Sequence, residues 1–179
     1  MSKSKQEQSL KDVQLKLIAE LLRNSRRSDR ELAKAIGVSQ PTVSRTLAKL
    51  EKAGFIRSHT IIPDFSKIGF NLLGITFVKL KSTYPAEEIE KIRKAVKERV
   101  EQSKFNIVML ERGIGLGFDA CIISIYKDYS EYSQHQDAIR TFPFIDISKI
   151  ESFIINLKDS VRYHPLNFET VARHLATSS

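Results

Sequence analysis

Residues 28–54 read SDRELAKAIGVSQPTVSRTLAKLEKAG, and this stretch decides how the first third of the chain folds. Ser28 stands three residues before Glu31, the spacing of a capping box, and predicts a helix over Asp29–Ile36. Gly37 ends that helix, because the residue after a helix often needs a left-handed backbone that glycine adopts freely. The stretch therefore opens with a short capped helix and a tight turn.

A second helix follows that turn. Ser39 is its N-cap residue, and we expect the helix to span Gln40–Ala53. Its inward-facing residues are Val43, Leu47 and Leu50. Upstream, apolar residues at three- and four-residue spacing make Leu10–Arg23 an amphipathic helix. Two short helices joined by a glycine turn are what a helix-turn-helix requires.

The second helix of this motif presents side chains that suit DNA. Polar and basic groups in its first turns are able to reach base edges and phosphates. These residues are Ser39, Gln40, Thr42, Ser44, Arg45 and Lys49. Four flanking arginines are candidates for phosphate contacts, namely Arg26, Arg27, Arg30 and Arg57. The pattern predicts binding to double-stranded DNA.

The charge of the chain is concentrated in the same region. The 179 residues include 29 Lys and Arg against 21 Asp and Glu, a formal net charge of +8. Residues 1–70 hold fourteen basic and seven acidic side chains, or +7, which leaves +1 for residues 71–179. This asymmetry predicts two domains with different tasks, and it puts nucleic acid first among candidate partners.

The remaining two thirds of the chain alternate between strand and helix patterns. Strands are predicted over residues 74–80, 105–110, 118–126 and 150–157, and helices over 85–103 and 128–141. The order β-α-β-β-α-β predicts a ferredoxin-like sandwich, an antiparallel sheet with both helices on one face. The other, apolar face then needs a partner sheet or subunit. The predicted fold class is α+β, a helix-turn-helix domain followed by this sandwich.

The sequence divides into four segments. We expect a flexible N-terminus over residues 1–9, the helix-turn-helix domain over 10–70 and the ferredoxin-like domain over 71–158. Residues 159–179 form an extension with a short helix, Asn167–Ala176, which we expect to cover a sheet edge or a subunit contact.

Several function classes find no support in the composition. Cys121 is the single cysteine, and the four histidines are scattered without ligand spacing, so we expect neither a disulfide nor a metal site nor a cofactor. No apolar run approaches the ~18–20 residues of a membrane span, and residues 1–9 lack the apolar middle of a signal peptide. We therefore expect a cytosolic protein without a membrane partner.

The run from Asp12 to Phe70 resembles the N-terminal winged helix-turn-helix of the Lrp/AsnC (feast/famine) transcription regulators. The matching features are Asp12, Arg27-Ser28…Glu31-Leu32-Ala33, Gly37-Val38-Ser39, Arg45, Leu50-Glu51…Gly54-Phe55-Ile56 and Ile68-Gly69. The resemblance implies a cytoplasmic, nucleoid-associated regulator, not an enzyme, that binds pseudo-palindromic DNA as a homodimer or a larger assembly such as an octamer. The βαββαβ order agrees with the regulatory domain of that family.

The resemblance also implies a place for a small effector, usually an amino acid, near the turn between the second and third strands. We expect that turn to be the glycine-rich segment Arg112–Gly117. The family pattern there is similar to a glycine, a variable residue, an aromatic and an aspartate. Phe118 and Asp119 fit it, whereas the glycines are shifted by one. The candidate effector residues are Gly113, Gly115, Gly117, Phe118 and Asp119.

Two other functions are compatible with parts of this pattern. An architectural, chromatin-like protein that coats DNA with little sequence preference also needs basic charge, and the sequence leaves this alternative open. Siroheme decarboxylases resemble the same two-domain architecture, but they rely on histidine in the region of the second strand. Residues 105–112 contain no histidine, and the second helix of the motif keeps a polar, basic face, which disfavours the enzyme.

Overall fold

The computed structural model describes residues 11–177, which form two compact units. The first unit contains the described residues up to Ile62 together with those from Tyr163 onward, and the second spans Pro63–Arg162. The expected flexible tail over residues 1–9 lies outside the described residues.

The first unit begins with three helices. They are α1 (Asp12–Arg23), α2 (Asp29–Ile36) and α3 (Gln40–Lys52). The Ser28 hydroxyl accepts a hydrogen bond from the Glu31 N–H at 3.3 Å, and the Glu31 carboxylate accepts one from the Ser28 N–H at 2.7 Å. Gly37 ends α2 in the left-handed region with a φ of 73°. The predicted capping box and turn are therefore confirmed, while Leu10, the expected start of the first helix, lies outside the described residues.

Helices α1, α2 and α3 share a small apolar core. Leu17, Leu32, Val43 and Leu50 are each at most 1% exposed and come from all three helices. Burial of each such side chain stabilises the fold by roughly 1.5–3 kcal/mol. Leu47 packs against this core from a partly buried position. The predicted inward face of α3 is confirmed.

Ser39 precedes α3, as expected of its N-cap residue, but its hydroxyl makes no capping bond. The hydroxyl lies 2.8 Å from Thr42 Oγ1, and the Thr42 N–H donates to the Ser39 carbonyl at 3.0 Å. Pro41 has no N–H to offer. Since the two amides that an N-cap side chain normally accepts from are thus absent or already bonded, the expected cap is missing.

The second unit contains four strands and two helices. They are β1 (Leu72–Leu80), α4 (Ala86–Glu101), β2 (Asn106–Gly115), β3 (Phe118–Tyr126), α5 (Tyr129–Arg140) and β4 (Ile145–Asn156). The strands lie in the order β2-β3-β1-β4, and every neighbouring pair is antiparallel. This is the ferredoxin-like arrangement that the sequence predicts.

Helices α4 and α5 cover one face of the sheet. Val78 of β1 and Ile122 of β3 pack with Ile92 of α4 and Ile139 of α5, and all four are 4–6% exposed. Strand β4 begins at Ile145, earlier than expected, because Ile145 pairs with Leu80 of β1 and its side chain is buried in the same core. The opposite face of the sheet carries no helix of the second unit.

The glycine-rich turn expected over residues 112–117 is shorter in the structure. Strand β2 continues to Gly115, which pairs with Phe118, so only Leu116 and Gly117 form the loop. Their φ angles are 54° and 79°, and two positive values mark a type I′ hairpin turn. Pairing with β3 extends the strand through the glycines because it gives their backbone groups hydrogen-bond partners.

The segment before β1 lies in the second unit, whereas the sequence pattern predicts a domain boundary after residue 70. The rings of Phe65 and Phe70 lie edge to face with centroids 6.5 Å apart, and the Phe70 N–H donates to the Phe65 carbonyl at 2.9 Å. The Asn71 N–H donates to the Tyr126 carbonyl at 2.9 Å. These local bonds extend the second unit to residues upstream of its first strand.

The last helix, α6 (Glu169–Thr177), belongs to the first unit, where it packs on α1. Ala19 of α1 and Ala172 of α6 are both fully buried, and Arg23 Nε lies 3.5 Å from Glu169 Oε1. Of the two expected roles of this helix, covering a sheet edge is wrong, since α6 packs on α1, and a subunit contact stays a prediction. Its apolar stripe was visible in the sequence, but such a stripe fits any apolar surface and does not identify its partner.

Candidate nucleic-acid interface

The solvent-facing side of α3 carries most of the residues expected to bind DNA. Ser39, Gln40, Ser44, Arg45 and Lys49 are exposed, and Thr42 is half-buried. No acidic residue lies in the first turn of α3, and Lys49 and Lys52 lie in its last turn. A helix that is anchored on one face and basic and polar on the other is suited to enter a DNA groove.

These side chains differ in how far they are engaged within the protein. Ser44 donates to Asp29 Oδ2 of α2, and Arg45 Nε donates to the Pro41 carbonyl at 3.1 Å. Within residues 11–177, the side chains of Gln40 and Lys49 make no hydrogen bond or ion pair. Donors that face solvent without a partner are available to bases and phosphates.

The four flanking arginines fall into two classes. Arg27 is half-buried and its guanidinium is paired with the Glu20 carboxylate of α1. Arg26, Arg30 and Arg57 are exposed, and none of them has an acidic partner among the described residues. Arg27 therefore supports the packing of the unit, whereas the other three present free positive charge.

The structure brings Arg26 and Arg57 together. Both line a cleft of about 710 Å³ in the first unit, between the end of α1, residues 55–62 and residues 166–169. The Ser25 hydroxyl donates to the Thr60 carbonyl at 3.3 Å and ties these segments to each other. Arg30 instead lies at the start of α2, next to Asp29 in the chain.

The hairpin expected to bind an effector is partly occupied by contacts of its own. Asp119 Oδ2 accepts a hydrogen bond from the Leu80 N–H at 2.8 Å, and Lys79 Nζ donates to the Gly117 carbonyl at 2.9 Å. The Phe118 ring lies 5.8 Å from that of Phe77. The carboxylate of Asp119 thus holds the end of β1, while Gly113 and Gly115 lie in β2, near the tip.

Two apolar surfaces of the second unit are exposed. On the sheet face opposite the helices, Phe153, Ile75, Ile123 and Met109 form one row across all four strands. Phe153 is 64% and Met109 41% exposed. At the hairpin tip, Ile114 and Leu116 are almost fully exposed. Monomeric soluble proteins rarely expose contiguous apolar surface of this kind.

Residues 11–177 contain neither a cluster of metal ligands nor a membrane-spanning helix. No three His, Cys, Asp or Glu side chains of that range come together as metal ligands would. Nor does any helix of that range have the length and apolar character needed to cross a membrane. Cys121 is half-buried, and burial raises the pKa of its thiol.

Comparison with known proteins agrees with this geometry. A model of winged helix-turn-helix DNA-binding domains matches residues 10–57. The fold is similar to that of Escherichia coli AsnC, with a TM-score of 0.65 at 19% identity over 88% of this chain and 98% of that one. An uncharacterised HTH-type transcriptional regulator of Pyrococcus furiosus is 37% identical over 140 residues, which cover 78% of this chain and 88% of the relative. The chain belongs to the Lrp/AsnC family of transcription regulators.

Another member of the fold was solved with a ligand. A transcriptional regulator of Neisseria meningitidis, whose crystal structure is that of its L-Met complex, has a TM-score of 0.68 at 17% identity. The match covers 91% of this chain and 99% of that one. At this level of identity the likeness concerns the fold, which an Lrp/AsnC regulator is expected to share.

Sequence reasoning missed several contacts at the candidate sites of this Lrp/AsnC regulator. Asp29 and Glu20 were not expected to engage Ser44 and Arg27, and no local pattern signals such pairs between helices. Lys79 was not expected at the hairpin either. Its contact depends on the antiparallel pairing of β1 with β3, which brings together residues 38 positions apart in the chain.

Proposed function

We propose that this regulator binds double-stranded DNA in a sequence-specific manner, with α3 lying in the major groove. The supporting observation is the solvent-facing side of α3, where Gln40, Arg45 and Lys49 extend from a helix held by fully buried Val43 and Leu50. Gln40 and Arg45 would read base edges, and Lys49 with Arg26, Arg30 and Arg57 would contact phosphates. In this proposal the protein binds DNA at the nucleoid, in the cytoplasm, and catalyses no reaction.

Selection of binding sites from random duplexes tests this function. A specific regulator enriches a pseudo-palindromic motif, whereas an architectural protein that coats DNA enriches none. Arg45→Ala should weaken binding to the selected site by ~1–3 kcal/mol and relax preference at one position. Lys97→Ala on α4, an exposed lysine of the second unit, is the matched control and should change little. A loss in Arg45→Ala that is equal on all sequences would make that residue a phosphate contact.

We also propose that the protein assembles at least as a homodimer, with the option of an octamer, through the exposed apolar surfaces of the second unit. Dimerisation would place two copies of α3 on successive major grooves of a two-fold symmetric site. Phe153→Asp should shift the mass measured by light scattering towards the monomer, because a charge would have to be buried in the contact. The exposed Thr170→Asp on α6 is a control with the same added charge. An unchanged mass for Phe153→Asp would contradict the use of this sheet face.

The effector proposal concerns the β2–β3 hairpin. We propose that an amino acid binds near Gly113, Gly115, Gly117, Phe118 and Asp119, as the family and the L-Met complex of the Neisseria regulator suggest. Backbone amides of the glycines would hold its carboxylate. Repeating the DNA selection with an amino-acid mixture tests this idea. Alanine is strained at a φ of 79°, so Gly117→Ala should distort the site. If the amino-acid mixture changes DNA binding by this variant as much as by the wild type, the proposed site is contradicted.

A further inference from the structure

The second unit contains an open cleft that the proposed function does not use. It has a volume of about 460 Å³ and lies between the end of α4, the start of β2 and α5. Ile107, Leu110 and Ile122 supply apolar walls, and Arg99 and Lys104 supply positive charge. None of its residues belongs to the hairpin segment 113–119. The volume is in the range of small-molecule sites, roughly 300–1,000 Å³.

A buried histidine lines this cleft. His135 is 4% exposed, and the Phe105 ring stacks on it with centroids 4.4 Å apart. Its Nδ1 lies 2.8 Å from the Tyr126 hydroxyl. No hydrogen bond to Nε2 exists among residues 11–177. A polar atom of a buried residue beside a cavity, without a protein partner, is a candidate ligand contact.

The protonation states of His135 and Tyr126 determine whether His135 Nε2 donates or accepts a hydrogen bond. Burial, with the Arg99 charge, lowers the pKa of His135 to about 4, so the ring is neutral near pH 7. Burial also raises the pKa of Tyr126, which keeps its hydroxyl proton. That buried proton requires an acceptor; Nδ1 lies 2.8 Å away, and the other neighbour, the Ser124 hydroxyl, is itself buried with a proton of its own to donate. We therefore assign the Tyr126 proton to Nδ1, which leaves the remaining ring hydrogen on Nε2 and makes that atom a donor.

The charges around the cleft favour an anion. Arg99 is held in place by hydrogen bonds from Nη2 to the Ala138 carbonyl and to Thr141 Oγ1, both at 2.6 Å. Its guanidinium has further N–H groups to donate. Glu98 is the single acidic residue among those lining the cleft, against Arg99 and Lys104.

We propose that this cleft binds a small organic acid with an apolar body. His135 Nε2 and Arg99 donate to its carboxylate, and the apolar body packs against Ile107, Leu110 and Ile122. The site lies within one subunit and is separate from the hairpin, so it depends neither on assembly nor on DNA binding.

Indole-3-acetate is a suitable probe for the full-length protein. The chain contains no tryptophan, so indole fluorescence reports the probe alone when tyrosine is not excited. We expect saturable binding of one molecule per chain. Tryptamine, with the same ring and a positive charge, should bind at least about tenfold more weakly. The ¹⁵N resonance of His135 Nε2 should shift on binding, which requires no variant.

Two variants localise the site. Ala138→Phe fills the cleft. His135→Phe keeps an aromatic ring that can stack on Phe105 but removes the hydrogen-bond donor. Each variant should weaken binding of indole-3-acetate at least about tenfold. Ala86→Phe, exposed at the start of α4 and outside the cleft, is the matched control and should bind normally. Absence of saturable binding to the wild type, equal binding of tryptamine, or unchanged binding by Ala138→Phe would each overturn the proposal. Circular dichroism confirms that the variants are folded.

Discussion

Ser44 of α3 donates a hydrogen bond to Asp29 Oδ2 of α2, so an acidic group lies against the helix that we propose to enter DNA. A carboxylate near the phosphates costs binding energy, but its bond to Ser44 fixes the crossing of the two helices. The hydrogen bond therefore makes the helix-turn-helix more rigid, while the charge of Asp29 lowers its affinity for DNA.

Asp29→Asn tests this balance. The amide still accepts the bond from Ser44 but carries no charge, so we expect about two- to threefold tighter binding to any duplex at low salt. The change should also cost ~0.3–1 kcal/mol of unfolding free energy, because Asp29 lies in the first turn of α2. Fluorescence anisotropy with labelled duplexes measures the affinity, and Asp137→Asn on α5 is the control. Weaker binding by Asp29→Asn would show that its charge positions α3.

Ala172→Leu tests the packing of α6 on α1. Ala172 is fully buried, so a larger side chain forces the helices apart and should cost about 1–3 kcal/mol of unfolding free energy. Thr170→Leu, exposed on the same helix, is the control and should change stability by less than about 0.5 kcal/mol. Urea unfolding followed by circular dichroism measures both. Equal stability of the two variants would mean that α6 is not held on α1.

Acidification should destabilise the second unit through His135. Its pKa is about 4 in the folded state against 6.5 for an ordinary histidine, so the unfolded chain takes up a proton that the folded chain refuses. Stability therefore falls as the pH drops from 6.5 to 4, by up to about 3 kcal/mol. His135→Phe should flatten this dependence. Urea unfolding followed by tyrosine fluorescence reports on this unit, since four of the five tyrosines lie there.

Carboxylates change the unfolding free energy at lower pH than His135 does, so the two contributions can be separated. Hydrogen bonds from Ser28, Ser66 and Ser148 lower the pKa of Glu31, Asp64 and Asp146, respectively. Their stabilising effect is fully present above their ordinary pKa and is lost progressively as the pH falls from there through the lowered pKa of the folded state. A pH dependence between 6.5 and about 4.5 that persists in His135→Phe would contradict the assignment to this residue.

Leu116→Asn tests why a leucine lies at the hairpin tip. Leu116 has a φ of 54°, which asparagine tolerates better, so the variant should gain about 0.5–1 kcal/mol of unfolding free energy. Leu116 is also 82% exposed, and a contact between copies that buries it would be weakened by asparagine. Unfolding and light scattering together measure both effects. A less stable variant of unchanged mass would contradict both.

Much of the first unit was predictable because its signals are local. The capping box at Ser28, the left-handed Gly37 and the spacing of Val43, Leu47 and Leu50 involve residues close in the chain. Each satisfies backbone groups or buries an apolar stripe without reference to distant residues. The βαββαβ order was predictable for the same reason, since strand and helix periods are read within single segments.

The sequence by itself thus determined the element order, the helix-turn-helix and the concentration of charge on its first 70 residues. Only the tertiary structure decided that α6 packs on α1, that Arg27 pairs with Glu20 and that His135 is buried at the wall of a cleft. These outcomes depend on which distant surfaces meet. An apolar stripe or a charged side chain specifies the chemistry of its partner but not which of several suitable partners it contacts.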